Sequence, residues 1–101
     1  MKLLTKALEK QLPPLYETEK TQTKDKLLIC KFFLTGTAIT WYACEYDLET
    51  KTFFGLVDNY ELEWGYFSLE ELEGLKGQFN MPVERDLYFE PTKYKDLNTG
   101  L

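Results

Sequence analysis
The hydrophobic pattern changes period several times along the chain. Leu3, Leu4, Ala7, Leu8 and Leu12 recur at the spacing of one helix face, with Lys2, Lys6, Glu9 and Lys10 elsewhere. Pro13-Pro14 stops that pattern, so a helix is expected over 2–12, with Leu15-Tyr16 docking behind it. Glu17 to Lys26 is polar, lysine-rich and without period, which predicts a loop and the most mobile segment of the chain. From Leu27 the pattern becomes that of strands. Leu27 to Leu34 is an apolar run, closed by the turn signal Thr35-Gly36-Thr37. Ile39 to Tyr46 alternates, with Ile39, Trp41 and Ala43 on one side and Thr40, Tyr42, Cys44 and Tyr46 on the other. Asp47-Leu48-Glu49-Thr50-Lys51 is a second turn, Thr52 to Val57 a third strand, and Asp58-Asn59 a third turn. Tyr60 to Phe67 alternates again, setting Tyr60, Leu62, Trp64 and Tyr66 against Glu61 and Glu63. Strands joined by such short turns form an antiparallel meander.

Ser68-Leu69-Glu70-Glu71 opens a second helix near 69–76. Ser68 is placed to accept from a first-turn amide and Glu71 to reach back, while Phe67 and Leu72 have staple spacing. Leu69, Leu72 and Leu75 give the apolar face, and Gly74 or Gly77 ends it. Pro82 to Phe89 reads as a last extended segment, and the polar tail from Pro91 as frayed. The expected fold class is therefore α+β: an antiparallel sheet of four to five strands with an N-terminal helix and a second helix packed against it. At 101 residues the chain, 1–101, is expected to be a single domain with one modest core.

Composition adds mainly a charge asymmetry. Residues 1–44 hold seven lysines and four acids, +3; residues 45–90 hold twelve acids against Lys51, Lys76 and Arg85, −9; the last eleven residues add +1, for a net −5. Phosphate contacts need Lys or Arg, so direct nucleic-acid binding is not expected, whereas a basic protein surface is a suitable partner. No apolar run approaches the ~20 residues that span a bilayer. A cytoplasmic monomer or small homo-oligomer, away from membranes, is the expectation. Aromatics make up 16% of the chain. They exceed what one sheet face buries, so some are expected to line a groove or interface.

Chemistry is limited by what is missing. There is no histidine, which removes the usual general base, Ser/His and Cys/His nucleophiles and most zinc sites. There is no glycine-rich phosphate loop, and neither a cofactor nor a metal is expected. The two cysteines, Cys30 and Cys44, face each other if Gly36-Thr37 centres the first hairpin, and are then either a cross-strand pair or two reduced, partly buried thiols. Glu61 and Glu63 share a strand face, and Glu70, Glu71 and Glu73 share a helix; both sets read as solvated, and none has the burial that raises a catalytic carboxyl. The single arginine stands in Glu84-Arg85-Asp86, before Leu87-Tyr88-Phe89. Arg85 either organises the fold by pairing with an acid on another strand, such as Glu45 or Glu63, or contacts a partner.

Several segments, taken in order, carry a family resemblance. They are Lys31-Phe32-Phe33, Thr40-Trp41-Tyr42-Ala43 with Glu45-Tyr46-Asp47, Phe53-Phe54-Gly55, Glu63-Trp64-Gly65-Tyr66-Phe67-Ser68-Leu69, and Glu84-Arg85-Asp86-Leu87-Tyr88-Phe89. Over about Leu12 to Phe89 the chain resembles a small uncharacterised family encoded on phages, plasmids and conjugative transposons. Where that family often carries Glu-Leu-Gly-Tyr-Phe, Trp64 replaces the leucine. The chain is also similar in size and character to an anti-CRISPR inhibitor of the type II nuclease Cas9. The resemblance implies a non-enzymatic counter-defence protein, with a CRISPR effector nuclease as its partner. Glu61, Glu63, Glu70, Glu71, Glu73 and Arg85 are then the candidate contact residues. A structural or regulatory interaction module in DNA transfer or phage biology is the alternative, and a carboxylate-based enzyme the third reading.

Overall fold
The computed structural model describes residues 2–97. The architecture is α+β, as the periodicity predicts. β2 (Cys30–Leu34), β3 (Thr40–Asp47), β4 (Thr52–Asp58) and β5 (Leu62–Ser68) form the meander, and β6 (Val83–Arg85) returns to pair with β2. The result is a five-stranded antiparallel sheet in the order β5-β4-β3-β2-β6. A second, two-stranded sheet joins β1 (Leu27–Leu28) to β7 (Thr92–Lys93). The helices are α1 (Lys6–Gln11) and α2 (Leu69–Gly74).

Both faces of the large sheet are covered, which answers where the aromatics go. On one face Phe32, Trp41, Ala43, Tyr46, Phe53 and Phe67 meet Leu3, Leu4 and Leu12 of the N-terminal segment and Leu69 and Leu72 of α2. Phe53 is the hub, with ring centroids of Tyr46, Phe67 and Phe32 at 4.6, 5.2 and 5.4 Å. On the other face Tyr42, Cys44 and Leu56 pack with Leu28 of β1, and Phe54, Trp64, Phe89, Tyr94 and Leu97 close over them. The segment after Pro91 is therefore docked, with β7 paired to β1 and Tyr94 edge-on to Trp64 at 5.4 Å. Its apolar members, Tyr94 and Leu97, hold it to the sheet; residues 98–101 lie outside the described residues.

The first helix is shorter than its hydrophobic pattern. Thr5 caps it by accepting from the Leu8 amide at 3.2 Å, so residues 2–4 precede the helix while Leu3 and Leu4 still enter the core. The apolar run 27–34 divides at Ile29, where the chain passes from the small sheet to the large one. The second helix is capped as expected, the Ser68 hydroxyl accepting from the Glu71 amide at 3.3 Å. Leu75 falls beyond it and is exposed, so the helix buries only Leu69 and Leu72. β5 starts at Leu62, which leaves Tyr60 in the preceding turn at positive φ and exposed.

Two register details matter for the site. The first hairpin pairs Cys30 with Ala43, one position away from Cys44. Because side chains alternate, that single step puts the thiols on opposite faces, and both are free and buried. β3 also carries a bulge between Ala43 and Glu45. The bulge breaks the simple alternation expected for 39–46. Tyr46 moves to the Phe53 face, and Glu45, opposite Phe54, turns to the other. Gly55 sits opposite Ala43 at this point, where a Cβ would lie 1.9 Å from the Tyr42 carbonyl oxygen.

Candidate functional site
The five glutamates expected to contact a partner are all exposed, but they form two groups. Glu61 and Glu63 lie at the start of β5, and Glu63 shares the helix-bearing face with Phe67. Glu70, Glu71 and Glu73 project from α2, which begins where β5 ends. The length of the strand, roughly 20 Å, separates the groups. From Thr52 to Leu75 the chain has no Lys or Arg. Of these five acids, Glu70 makes an exposed ion pair, to Lys51 at 3.8 Å. Pairs of that kind contribute ~0–1 kcal/mol.

Arg85 does not belong to this surface. It lies on β6, at the opposite edge of the sheet from β5 and roughly 19 Å away at ordinary strand spacing. That distance excludes Glu63 as its partner, and the Glu45 carboxylate is taken up by the 16–18 loop. The Arg85 guanidinium instead donates to the backbone carbonyls of Lys2 and Leu3, at 2.6 and 2.8 Å. Its neighbours are equally occupied: Glu84 accepts from the Thr35 hydroxyl at 2.9 Å, and Asp86 pairs with Lys31 at 3.8 Å and accepts from the Tyr88 amide at 2.9 Å. The tripeptide fastens the N-terminal segment and the β2 turn to the sheet edge.

A cleft that the periodicity gave no sign of lies on the face opposite the helices. Tyr16, Glu19, Lys26, Glu45, Phe54 and Tyr66 enclose about 310 Å³. Its floor is Glu45, 3% exposed. Glu45 accepts from the amides of Tyr16 at 2.8 Å and Thr18 at 3.0 Å and from the Thr18 hydroxyl. The Lys26 ammonium donates to the Thr18 carbonyl at 2.6 Å and stands 6.0 Å from the Phe54 ring centre. The segment expected to be the most mobile is thus latched to the sheet: Pro13 is tied to the Tyr46 amide at 2.9 Å, and Lys26 closes the far end. Tyr16 holds φ of 73°, an uncommon conformation for a tyrosine, kept in place by these bonds. A hydrogen bond with Tyr16 raises the Tyr66 hydroxyl above its ordinary pKa, with desolvation adding to it. The one sequence signal for the cleft was Glu45 itself, an acid inside the aromatic strand Thr40–Asp47.

Residues 3–96 match the model of a protein family described as of unknown function, DUF2958. The chain belongs to this family. Comparisons with curated proteins and with solved structures gave no match. In this DUF2958 protein burial disfavours the thiolate form of both cysteines. Desolvation pushes Cys30 up to about 12 despite Arg85 nearby, and raises Cys44 against the opposing effects of Thr18 and Lys26. Among the described residues, no three His, Cys, Asp or Glu side chains group to hold a metal ion, and no helix is long and apolar enough to cross a membrane.

Proposed function
We propose that this DUF2958 protein is a non-enzymatic counter-defence inhibitor carried by a mobile element. It binds a nucleic-acid-handling effector, of which a CRISPR nuclease such as Cas9 is the type, through the acids of β5 and α2. The observation that carries the reading is the stretch from Thr52 to Leu75, without Lys or Arg, whose glutamates 61, 63, 70, 71 and 73 are all exposed. Nuclease effectors hold nucleic acid in positively charged channels, so an acidic protein of this size can occupy or cover such a channel. The resemblance to mobile-element proteins supplies the biological setting. The non-enzymatic part is supported by Glu45, the buried acid among the described residues, whose oxygens are committed to structural donors.

The test is binding of the full chain to a purified, guide-loaded effector. Raising salt from about 50 to about 500 mM shrinks the Debye length severalfold and should weaken binding about tenfold or more. Reversing Glu61 and Glu63, or Glu70, Glu71 and Glu73, to lysine should do the same at low salt. Arg85→Lys, on the opposite edge, should leave binding intact. Affinity that ignores both salt and charge reversal would refute the acidic-surface reading.

A further inference from the structure
We infer that the outer edge of β5 receives an extended segment of the protein partner as a sixth strand, apolar in its middle and carrying Lys or Arg at both ends. The inference rests on the acidic-surface reading and says how that surface is read. β5 is seven residues long and, among the described residues, pairs only with β4. Its other side therefore presents unpaired N–H and C=O groups over about 20 Å, with alternate residues turned outward, enough for roughly six to eight main-chain hydrogen bonds. Addition of a strand to such an edge is a general mode of peptide recognition. The opposite edge strand, β6, offers three residues and no comparable charge.

Charge and side-chain pattern select the occupant. Glu61 and Glu63 stand at one end of the strand, and α2 with Glu70, Glu71 and Glu73 starts at the other. A compact cation reaches one group, whereas an extended chain along β5 reaches both. Between them Trp64 and Tyr66 share one face, with Tyr66 56% exposed and its ring tilted against Phe54 at 5.2 Å. This face suits apolar or aromatic residues at every second position of the incoming strand. A second copy of this chain fits poorly. Antiparallel pairing of two β5 strands about Gly65 brings Glu61 and Glu63 of each copy to the α2 acids of the other, so like charges meet at both ends.

The probe is a peptide of about nine residues, long enough to span the strand, with lysines at both ends and valine alternating with threonine between them. It is compared with a scrambled peptide of the same composition and with one N-methylated at alternate residues. Tryptophan fluorescence and amide exchange of the full-length chain are read together. The expected result is slowed exchange at alternate β5 amides and affinity that falls about tenfold or more on N-methylation, since several main-chain bonds are lost. Scrambled and N-methylated peptides binding as well as the alternating one would overturn the edge inference, leaving simple charge attraction and the acidic-surface reading intact. Effector binding that stays salt-dependent while no peptide protects β5 would overturn it as well. Concentration-dependent protection of β5 without peptide, with dimers in sedimentation, would replace the basic segment by a second copy. Loss of salt dependence for the effector itself would instead remove the reading on which the inference rests.

Discussion
Glu45→Ala should detach the loop of residues 16–18 from the sheet and reveal how much of the fold hangs on one carboxylate. The side chain accepts from two backbone amides and one hydroxyl, all of the same loop. Hydrogen bonds to a charged group contribute ~1.5–3 kcal/mol each, so three of them summed would give ~4.5–9 kcal/mol. That sum overstates the loss. Tyr16 is already 64% exposed, and the freed amides can hydrate once the loop lifts, so the expected cost is about 2–4 kcal/mol. Glu45→Gln keeps the size and one acceptor oxygen but turns an NH2 toward donors, and should fall between wild type and alanine. Urea denaturation gives the global figure. Amide exchange at Tyr16 and Thr18 locates it: about 3 kcal/mol of lost protection is an acceleration of roughly a hundredfold. The two effects must appear together. If both amides exchange as in wild type, and stability changes by less than ~0.5 kcal/mol, Glu45 is not the latch and the ordering of this loop needs another cause.

Three further outcomes follow from the geometry. Arg85→Met removes the donor to the Lys2 and Leu3 carbonyls and should cost about 2–4 kcal/mol in urea unfolding, with Arg85→Lys intermediate; full stability with lost effector binding would show that Arg85 acts outside the fold. Gly55→Ala drives a Cβ onto the Tyr42 carbonyl and should destabilise by ~3 kcal/mol or more, whereas Gly65→Ala, with nothing within 4 Å, should stay near wild type in thermal melts. Cys30, raised by burial from 9.0 to about 12, favours its protonated form in the folded state, so its contribution is complete below pH ~9 and lost as pH climbs toward 12. The loss is about 1.4 kcal/mol per pH unit across that interval. Denaturation of wild type and Cys30→Ala at successive pH values should therefore converge over that interval, and parallel curves would contradict the burial.

The alternating strands and the capped second helix were legible because each is set by neighbours in sequence. Leu62, Trp64 and Tyr66 fall on one face and Ser68 caps α2, as their spacing predicts. What stayed hidden depends on contacts between distant residues. The start of α1 only after Thr5 leaves Lys2 and Leu3 to be held by Arg85, over eighty positions later in the chain. The tail reads as polar, yet Tyr94 and Leu97 find a surface that exists only once Trp64 and Leu28 are in place. The hairpin around Gly36 was displaced by one position, and that alone separated two cysteines that the simpler register brought together. For the candidate site, the exposed acids and their division between strand and helix were readable, but the position of β5 at the edge of the sheet was not.

The bulge in β3 is where sequence and function part most clearly. Strict alternation would send Glu45 to the Phe53 face, the most apolar part of the molecule, where a carboxylate costs several kcal/mol without partners. Two residues opposing one across β4 resolve this: Tyr46 takes the place beside Phe53, and Glu45 faces the loop that supplies its donors. Gly55 permits the close approach of the Tyr42 carbonyl that accompanies it. The chain therefore handles its acids in two ways. Glu45 is buried and satisfied internally, so it has little left to offer a ligand. Glu61 and Glu63 stand in water beside an unpaired strand edge, where a negative charge resists pairing with copies of itself yet favours a basic strand. Acidity that would be a liability in the core is, at that edge, compatible with both solubility and selection of a partner, which is why the proposed recognition is assigned to β5 and not to the Glu45 cleft.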